Sequence, residues 1–343
     1  KKHIERISEL LNDAIRIRLR ADVEVGSCLS GGLDSSAIVG FMRKNMGNKP
    51  FHVFTASFPG LSVDEGNWAS SMAQHVQAIE HTVTPNADDL RNDLSELMFA
   101  QDIPIWSTST YAQFRVMRLV QQTGIRVVLD GQGGDEVFAG YQTHKYFRSR
   151  GMGWPARLKT MNSEGKLADE LRFFLKQYLR FEGVHKLPNA ISKHVYSNYF
   201  HDLEYLSDNL FETYSNTFRA QQIYQTTNLN DRLALEMQNT SLKAYLKCED
   251  RCAMWHSVES RTPFADDHPL IEYVFNLPES LKIKNNTLKH LLREASAEVI
   301  PSKIKNRNDK QGYTTPNANW ISQVADSVYD LFDDSLLPYL NVD

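Results

Sequence analysis

Cysteine is scarce in this sequence: three in 343 residues, too few to staple a chain of this length. Cys28 stands alone, and Cys248 and Cys252 lie four apart on a helical pattern without the paired spacing of a zinc site. Such usage suits a reducing, cytosolic setting and a cytoplasmic location. No apolar run approaches the roughly 18 residues of a membrane span, and the Lys-Lys start lacks the apolar stretch of a signal peptide. Nor is there an excess of either charge. Lys and Arg total 38 against 42 Asp and Glu, a net charge of −4, so nothing in the bulk charge draws the chain to nucleic acid or an anionic membrane. No internal repeat or low-complexity tract is visible. The chain opens without a methionine and reads as a piece of a longer polypeptide.

What is present is a change of period along the chain. Ile4, Ile7, Leu10, Leu11, Ala14 and Ile15 recur at helical spacing, which predicts an amphipathic helix over the first twenty or so residues. Residues 23–29 form a β-compatible run followed by Ser-Gly-Gly and a helical stretch from Asp34 to Lys44. Further strands are predicted over 51–58, 79–83 and 126–129, with helices over 68–76 and 111–122. Strands alternating with helices predict an α/β fold: a parallel sheet flanked by helices, with ligands bound beyond the carboxyl ends of the strands. Past about residue 145 the strand signals fade, and long amphipathic patterns over 167–179 and 231–246 predict a largely helical remainder. The sequence therefore divides into an α/β part, 1–145, and a mainly helical part, 146–343, with loop signals over 150–166.

Four segments carry candidate chemistry. Ser30-Gly31-Gly32-Leu33-Asp34-Ser35-Ser36 lies between a strand and a helix, where two glycines let successive N–H groups converge on an anion. No Gly-Lys-Ser/Thr follows, so this is not a Walker A loop; Asp34 instead offers a carboxylate to a metal bridging phosphates. By itself the turn reads equally well as a β-to-α connection with Asp34 as a cap. Asp130-Gly-Gln-Gly-Gly-Asp135-Glu136 repeats the arrangement after the fourth predicted strand, and Asp135 supplies a second carboxylate at the same sheet edge. The charged residues Asp250, Arg251, Glu259, Arg261 and Asp266 suit a substrate pocket but equally a structural ion-pair network. Lys310, in the Gly/Pro-bounded stretch Arg307–Pro316, is on spacing alone an ordinary solvated lysine.

Ser-Gly-Gly-Leu-Asp-Ser-Ser resembles the PP-loop of enzymes that cleave ATP between its α and β phosphates. In order along the chain, that string, Asp-Gly-Gln-Gly-Gly-Asp-Glu-Val-Phe-Ala-Gly-Tyr, Asp250-Arg251 to Asp266, Leu288-Lys289 to Arg293-Glu-Ala, and Asn-Asp-Lys310-Gln-Gly-Tyr resemble the synthetase domain of glutamine-hydrolysing asparagine synthetases. The resemblance implies the adenine nucleotide α-hydrolase fold, with ATP and Mg²⁺ as cofactors. Leu29, Ala56, Asp130 and Gly131 would hold adenosine; Ser30, Gly31, Gly32, Asp34, Ser35 and Ser36 would cradle pyrophosphate; Asp34 and Asp135 would bind metal. Lys310 would stabilise charge as the carboxylate attacks the α-phosphorus, and Arg251 and Glu259 would shape the acceptor pocket. Gln132 stands where some members carry Glu, a candidate base for the incoming amine.

The reaction so implied is amidation of aspartate to asparagine through β-aspartyl-AMP, an AMP-forming carbon–nitrogen ligation with ATP, aspartate and ammonia as small-molecule substrates. The glutaminase domain of this family, which carries an N-terminal Cys, is absent from these residues, so it is expected on the same polypeptide or a separate subunit. A homodimer is compatible with this reading. Two alternatives stay open: a related adenylating cyclase of the β-lactam or lasso-peptide type acting on another carboxylate, and a catalytically silent nucleotide-binding regulatory module.

Overall fold

Strands and helices alternate through the first 129 residues of the computed structural model, which describes residues 1–103, 105, 107–152, 167–178, 226, 228–308 and 314–329. Helix α1 (Lys2–Arg18) leads into β1 (Val25–Cys28), α2 (Leu33–Met46), β2 (His52–Ala56), α3 (Gly66–His75), β3 (Ile79–Val83), α4 (Ala87–Gln101), α5 (Ser109–Gln122), β4 (Val127–Leu129) and α6 (Gly134–Phe138). Helix α4 is an element that apolar periodicity did not predict. Its start is nevertheless written locally: the Asn86 side chain accepts from Asp89 N at 2.9 Å while Asp89 accepts from Asn86 N, a reciprocal cap.

The five strands lie in the order β3-β2-β1-β4-β5, all neighbouring pairs parallel. The fifth, β5 (Glu259–Arg261), was not predicted; three residues of Glu-Ser-Arg carry no apolar signal, and only pairing with β4 makes them a strand. β1 and β4 are buried along nearly all their length, as expected of a parallel sheet covered on both faces. α1 lays Ile7, Leu10, Leu11, Ala14 and Ile15 against α2 and the helices His268–Phe275 and His290–Ala295. α5 packs on β2 and β3, and the helix Ser241–Trp255 packs on α4, α5 and β5.

Because β2 and β3 lie to one side of β1 and β4 and β5 to the other, the strand order reverses between β1 and β4. Chain connections diverge there, leaving a crevice beyond the carboxyl ends of those two strands. Both glycine-rich segments begin at that point, at Leu29 and at Asp130.

The chain divides into two compact units, one of Lys1–Gly140 with Leu233–Ala325, the other of Tyr141–Arg232 with Asp326–Asp343. Leu233–Ala325 belongs to the first unit, where β5 completes the sheet. Within the second unit, the helix Gln142–Arg150 sets Tyr146 against Phe174, and Arg232 stacks over Phe147 at 4.8 Å. The amphipathic pattern at 231–246 is two helices, Leu229–Gln238 and Ser241–Trp255.

Candidate active site

The first turn is wired by its own serines. Ser30 N donates to Ser35 Oγ at 3.2 Å, Gly32 N donates to Ser30 Oγ at 3.3 Å, and Ser35 Oγ donates to Gly32 O at 3.3 Å. Gly31 has φ +74°, and a Cβ there would lie 2.4 Å from Ala69 N and 2.5 Å from Trp68 Cβ, so only glycine meets both the conformation and the space. Ser36 Oγ is buried without a hydrogen-bond partner among the described residues. No side chain caps the start of α2; its first N–H groups face the turn, where an anion would satisfy them.

The second turn is built against the first. Asp130 N donates to Arg261 O at 2.9 Å, and Asp130 Oδ1 accepts from Gln132 N at 3.2 Å. A Cβ on Gly134 would come within 2.5 Å of Asp34 Oδ1, and one on Gly140 within 1.7 Å of Asp135 Oδ1 and 2.2 Å of Lys289 Cε. The glycines thus allow the two acidic side chains to approach.

What they approach is Lys289. Its Nζ lies 2.7 and 2.6 Å from the two Asp34 carboxylate oxygens and 2.5 Å from Asp135 Oδ1. Asp34 and Lys289 are 5% and 3% exposed, so this is a buried ion pair whose members each need the other. Lys289 holds φ +54°, an uncommon conformation for a non-glycine residue. It immediately precedes the helix His290–Ala295, where Arg293 Nε donates to Leu288 O at 3.0 Å and steadies the approach to Lys289. The sequence motif contained Lys289, but nothing in its spacing assigned it a role; only the fold brings it to Asp34, 255 positions away.

Behind the second turn lies a buried acidic cluster. Burial raises the Asp130 carboxyl, with Asp34 adding to the effect, and burial pushes Glu249 well above the ordinary carboxylate range, with Asp130 adding to it. Ser260 Oγ donates a short hydrogen bond to Glu249 Oε1. Cys28, the last residue of β1, has its thiol pushed up by burial and the neighbouring Asp130 and Glu249, which leaves it little thiolate character.

A family model described as asparagine synthase matches residues 6–342. The chain belongs to the asparagine synthase family. Membership in that family, whose chemistry is AMP-forming carbon–nitrogen ligation, accounts for a two-turn site on a parallel sheet. Asparagine synthetase [glutamine-hydrolyzing] 1 of Bacillus subtilis is 26% identical over 93% of the chain and 51% of its own length. Amidase chry2 of Gibberella zeae is 27% identical over 92% of the chain and 53% of its own length. A putative asparagine synthetase of Methanocaldococcus jannaschii reaches 37% identity over 42% of the chain and 28% of its own length. The chain thus spans about half the length of the first two of these curated relatives.

Of the residues that the asparagine synthetase resemblance singled out, Leu29 through Ser36, Asp130, Gly131 and Asp135 stand together at the switch point. Ala56 ends β2 at the same sheet edge, beside Thr55, whose Oγ1 donates to Leu29 O at 2.7 Å. Glu259 is placed elsewhere: it opens β5 opposite Val127, at the amino end of the strand, with its exposed carboxylate 2.7 Å from Arg261 Nε. Arg251 lies on the helix Ser241–Trp255, 3.4 Å from Asp102. Lys310 lies outside the described residues.

Proposed function

We propose that this chain catalyses ATP-dependent amidation of aspartate to asparagine through β-aspartyl-AMP, releasing AMP and pyrophosphate, and that a glutaminase domain on the same polypeptide or a separate subunit supplies the ammonia. The observation that carries the reading is the convergence of two carboxylates, from two glycine-rich turns, on one cation at the switch point. A cation-binding pair at that place fits Mg²⁺, a hard ion that takes one or two carboxylates and completes its shell with phosphate oxygens and water. When bound, the ion would neutralise the charge on the β and γ phosphates. Asp34 and Asp135 would hold it, the Ser30–Ser36 turn would receive the pyrophosphate portion on its N–H groups, and Leu29, Ala56, Asp130 and Gly131 would line the adenosine side. Lys289, already between the carboxylates, supplies a buried ammonium beside the same phosphates. Lys310 is the proposed cation for charge developing at the α-phosphorus.

A second reading has a specific basis. Relatives of asparagine synthetase name and of amidase name are matched at the same level, 26% and 27%, so the second proposal is a related adenylating reaction on another carboxylate, of the cyclase type. No described helix is long and apolar enough to cross a membrane. Incubation with MgATP, aspartate and ammonium distinguishes the readings: asparagine together with stoichiometric AMP and pyrophosphate supports the first. AMP formation only with a different carboxylate supports the second. No AMP with any carboxylate sinks both.

A further inference from the structure

The phosphate-receiving turn is backed by three residues to which no role has been given. Helix α3 starts at Gly66, with Glu65 O accepting from Trp68 N at 2.9 Å and Ala69 N at 3.1 Å. Its first turn is tied to the end of β2 by Asp64, whose Oδ1 accepts from Ser57 Oγ, Phe58 N and Gly66 N at 2.8–3.1 Å. On the other side this helix turn abuts Gly31, the position where a Cβ would strike Trp68 and Ala69. Arg307, just past the helix Ser302–Lys305, then closes over the same turn. Its Nη2 is 2.7 Å from Glu65 Oε1, and its guanidinium stacks 4.6 Å from the Trp68 ring. The two charged side chains are 7% and 15% exposed, so this pair is far drier than a surface ion pair and holds its geometry firmly.

We infer that Arg307, Glu65 and Trp68 are positioning residues: a clamp that presses the first turn of α3 onto Gly31 and so keeps the Ser30–Gly32 backbone in its phosphate-receiving shape. The inference rests on the proposed nucleotide site but not on the identity of the acceptor. The hydroxyl hydrogen bonds of the turn are long, 3.2–3.3 Å, and join only its serines and Gly32 to one another; stacking and a buried ion pair behind it add rigidity from outside the loop. Because Trp68 and Ala69 abut Gly31 of the pyrophosphate turn, loss of the clamp should weaken recognition of the β and γ phosphates more than that of adenosine.

The test uses the full chain and three probes measured by equilibrium calorimetry: MgATP, magnesium pyrophosphate and AMP. Arg307→Gln and Trp68→Ala should weaken MgATP and pyrophosphate binding by about 10- to 100-fold, the usual loss when a supporting contact is removed, while AMP binding stays within about twofold. Trp68→Phe keeps an aromatic ring beneath the Arg307 guanidinium and should bind all three nearly as wild type does. Arg307→Lys keeps the charge without the planar stack and should fall between. The inference is overturned if AMP affinity falls in parallel, which marks a general loosening, or if MgATP and pyrophosphate affinities are unchanged. Should Trp68→Ala fail to fold, Trp68→Phe and Arg307→Lys decide by the same ratio. Wild-type protein that binds MgATP yet amidates no carboxylate would remove the proposed reaction and leave the clamp in place; wild-type protein that binds no MgATP overturns both.

Discussion

The two glycine-rich turns and the Asp250–Asp266 segment both belong to the motifs of this family, yet they were legible to very different degrees. Each turn is a local object: glycine permits a positive φ, serine wires the loop, and a strand before and a helix after fix where it lies. The later segment is legible only through what it meets. Its Ser260 pairs with β4 and bonds Glu249, its Arg261 donates to the carbonyls of Arg18 and Arg20, and its Glu259 opens the strand at the edge opposite the turns. The lesson is that a motif's charged residues divide between chemistry and scaffolding, and the division follows the direction of the strand they stand on.

Substitutions that remove the shared cation site should break this comparison most completely. Asp34→Asn and Asp135→Asn should each abolish Mg²⁺-dependent ATP turnover, measured as AMP or pyrophosphate release, because each removes one of the two carboxylates proposed to hold the ion against the phosphates. The structure adds a stability effect for Asp34, since Lys289 is almost fully buried against it. Stripping one partner from a buried pair costs about 3–5 kcal/mol where no other partner remains, and Asp135 offsets part of that here. Lys289→Met provides the converse: two facing carboxylates with no cation should make the melting temperature of the ligand-free protein rise with added Mg²⁺ more steeply than in wild type. Equal Mg²⁺ dependence in the two proteins would show that the carboxylates do not share an ion.

Lys310 is the next largest expected effect. Lys310→Met keeps the side-chain length and removes the charge, and the loss of one preorganised contact to transition-state charge slows a reaction by about 10² to 10³-fold. Single-turnover AMP formation should fall by that factor while MgATP binding hardly changes. Lys310→Arg should restore part of the rate, its planar donors differing from an ammonium. An unchanged rate in Lys310→Met would return this residue to the surface.

This ranking shows what the sequence could and could not supply. Strand order was out of reach, since nothing in Glu-Ser-Arg at 259–261 announces a strand, and without β5 the edge holding Asp130 is incomplete. The carboxyl-end position of Asp34 and Asp135 was readable because each follows a hydrophobic strand within one turn. Lys289 was not, because its role arises from a contact spanning 255 positions, and loop residues far apart in sequence share no period.

Arg251 and Glu259 should therefore matter less than the turns. Glu259→Gln and Arg251→Ala should each change kcat for amide formation by no more than a few-fold, since both side chains are partly exposed ion-pair partners, and pairs of that kind contribute about 0–1 kcal/mol. A drop of 100-fold or more in kcat for either, with ATP affinity intact, would place that residue at the acceptor and reverse the comparison.

The smallest effect on turnover is expected from His256, which stands in the same segment yet faces the core. Its ring packs 4.5 Å from Phe114, Nε2 has no hydrogen-bond partner among the described residues, and Arg118, Glu96 and Asp93 are the charges around it. Burial, with help from Arg118, pushes its pKa down from 6.5 to about 4. The unfolded chain therefore takes up a proton below about pH 6.5 that the folded chain refuses until about pH 4. Stability linked to His256 is complete above the unfolded value and is lost as pH falls through that window, by about 1–3 kcal/mol in all. Melting temperature measured from pH 7 to pH 4.5 should decline in wild type and decline less in His256→Gln, which cannot titrate. Amide formation at pH 7.5 should be the same in both, because a neutral ring buried against Phe114 takes no part in binding nucleotide or acceptor. Identical melting profiles would mean that other acid-titrating groups, Asp93 among them, carry the whole pH dependence, and a loss of amide formation in His256→Gln would bring the segment's inner face into the site after all.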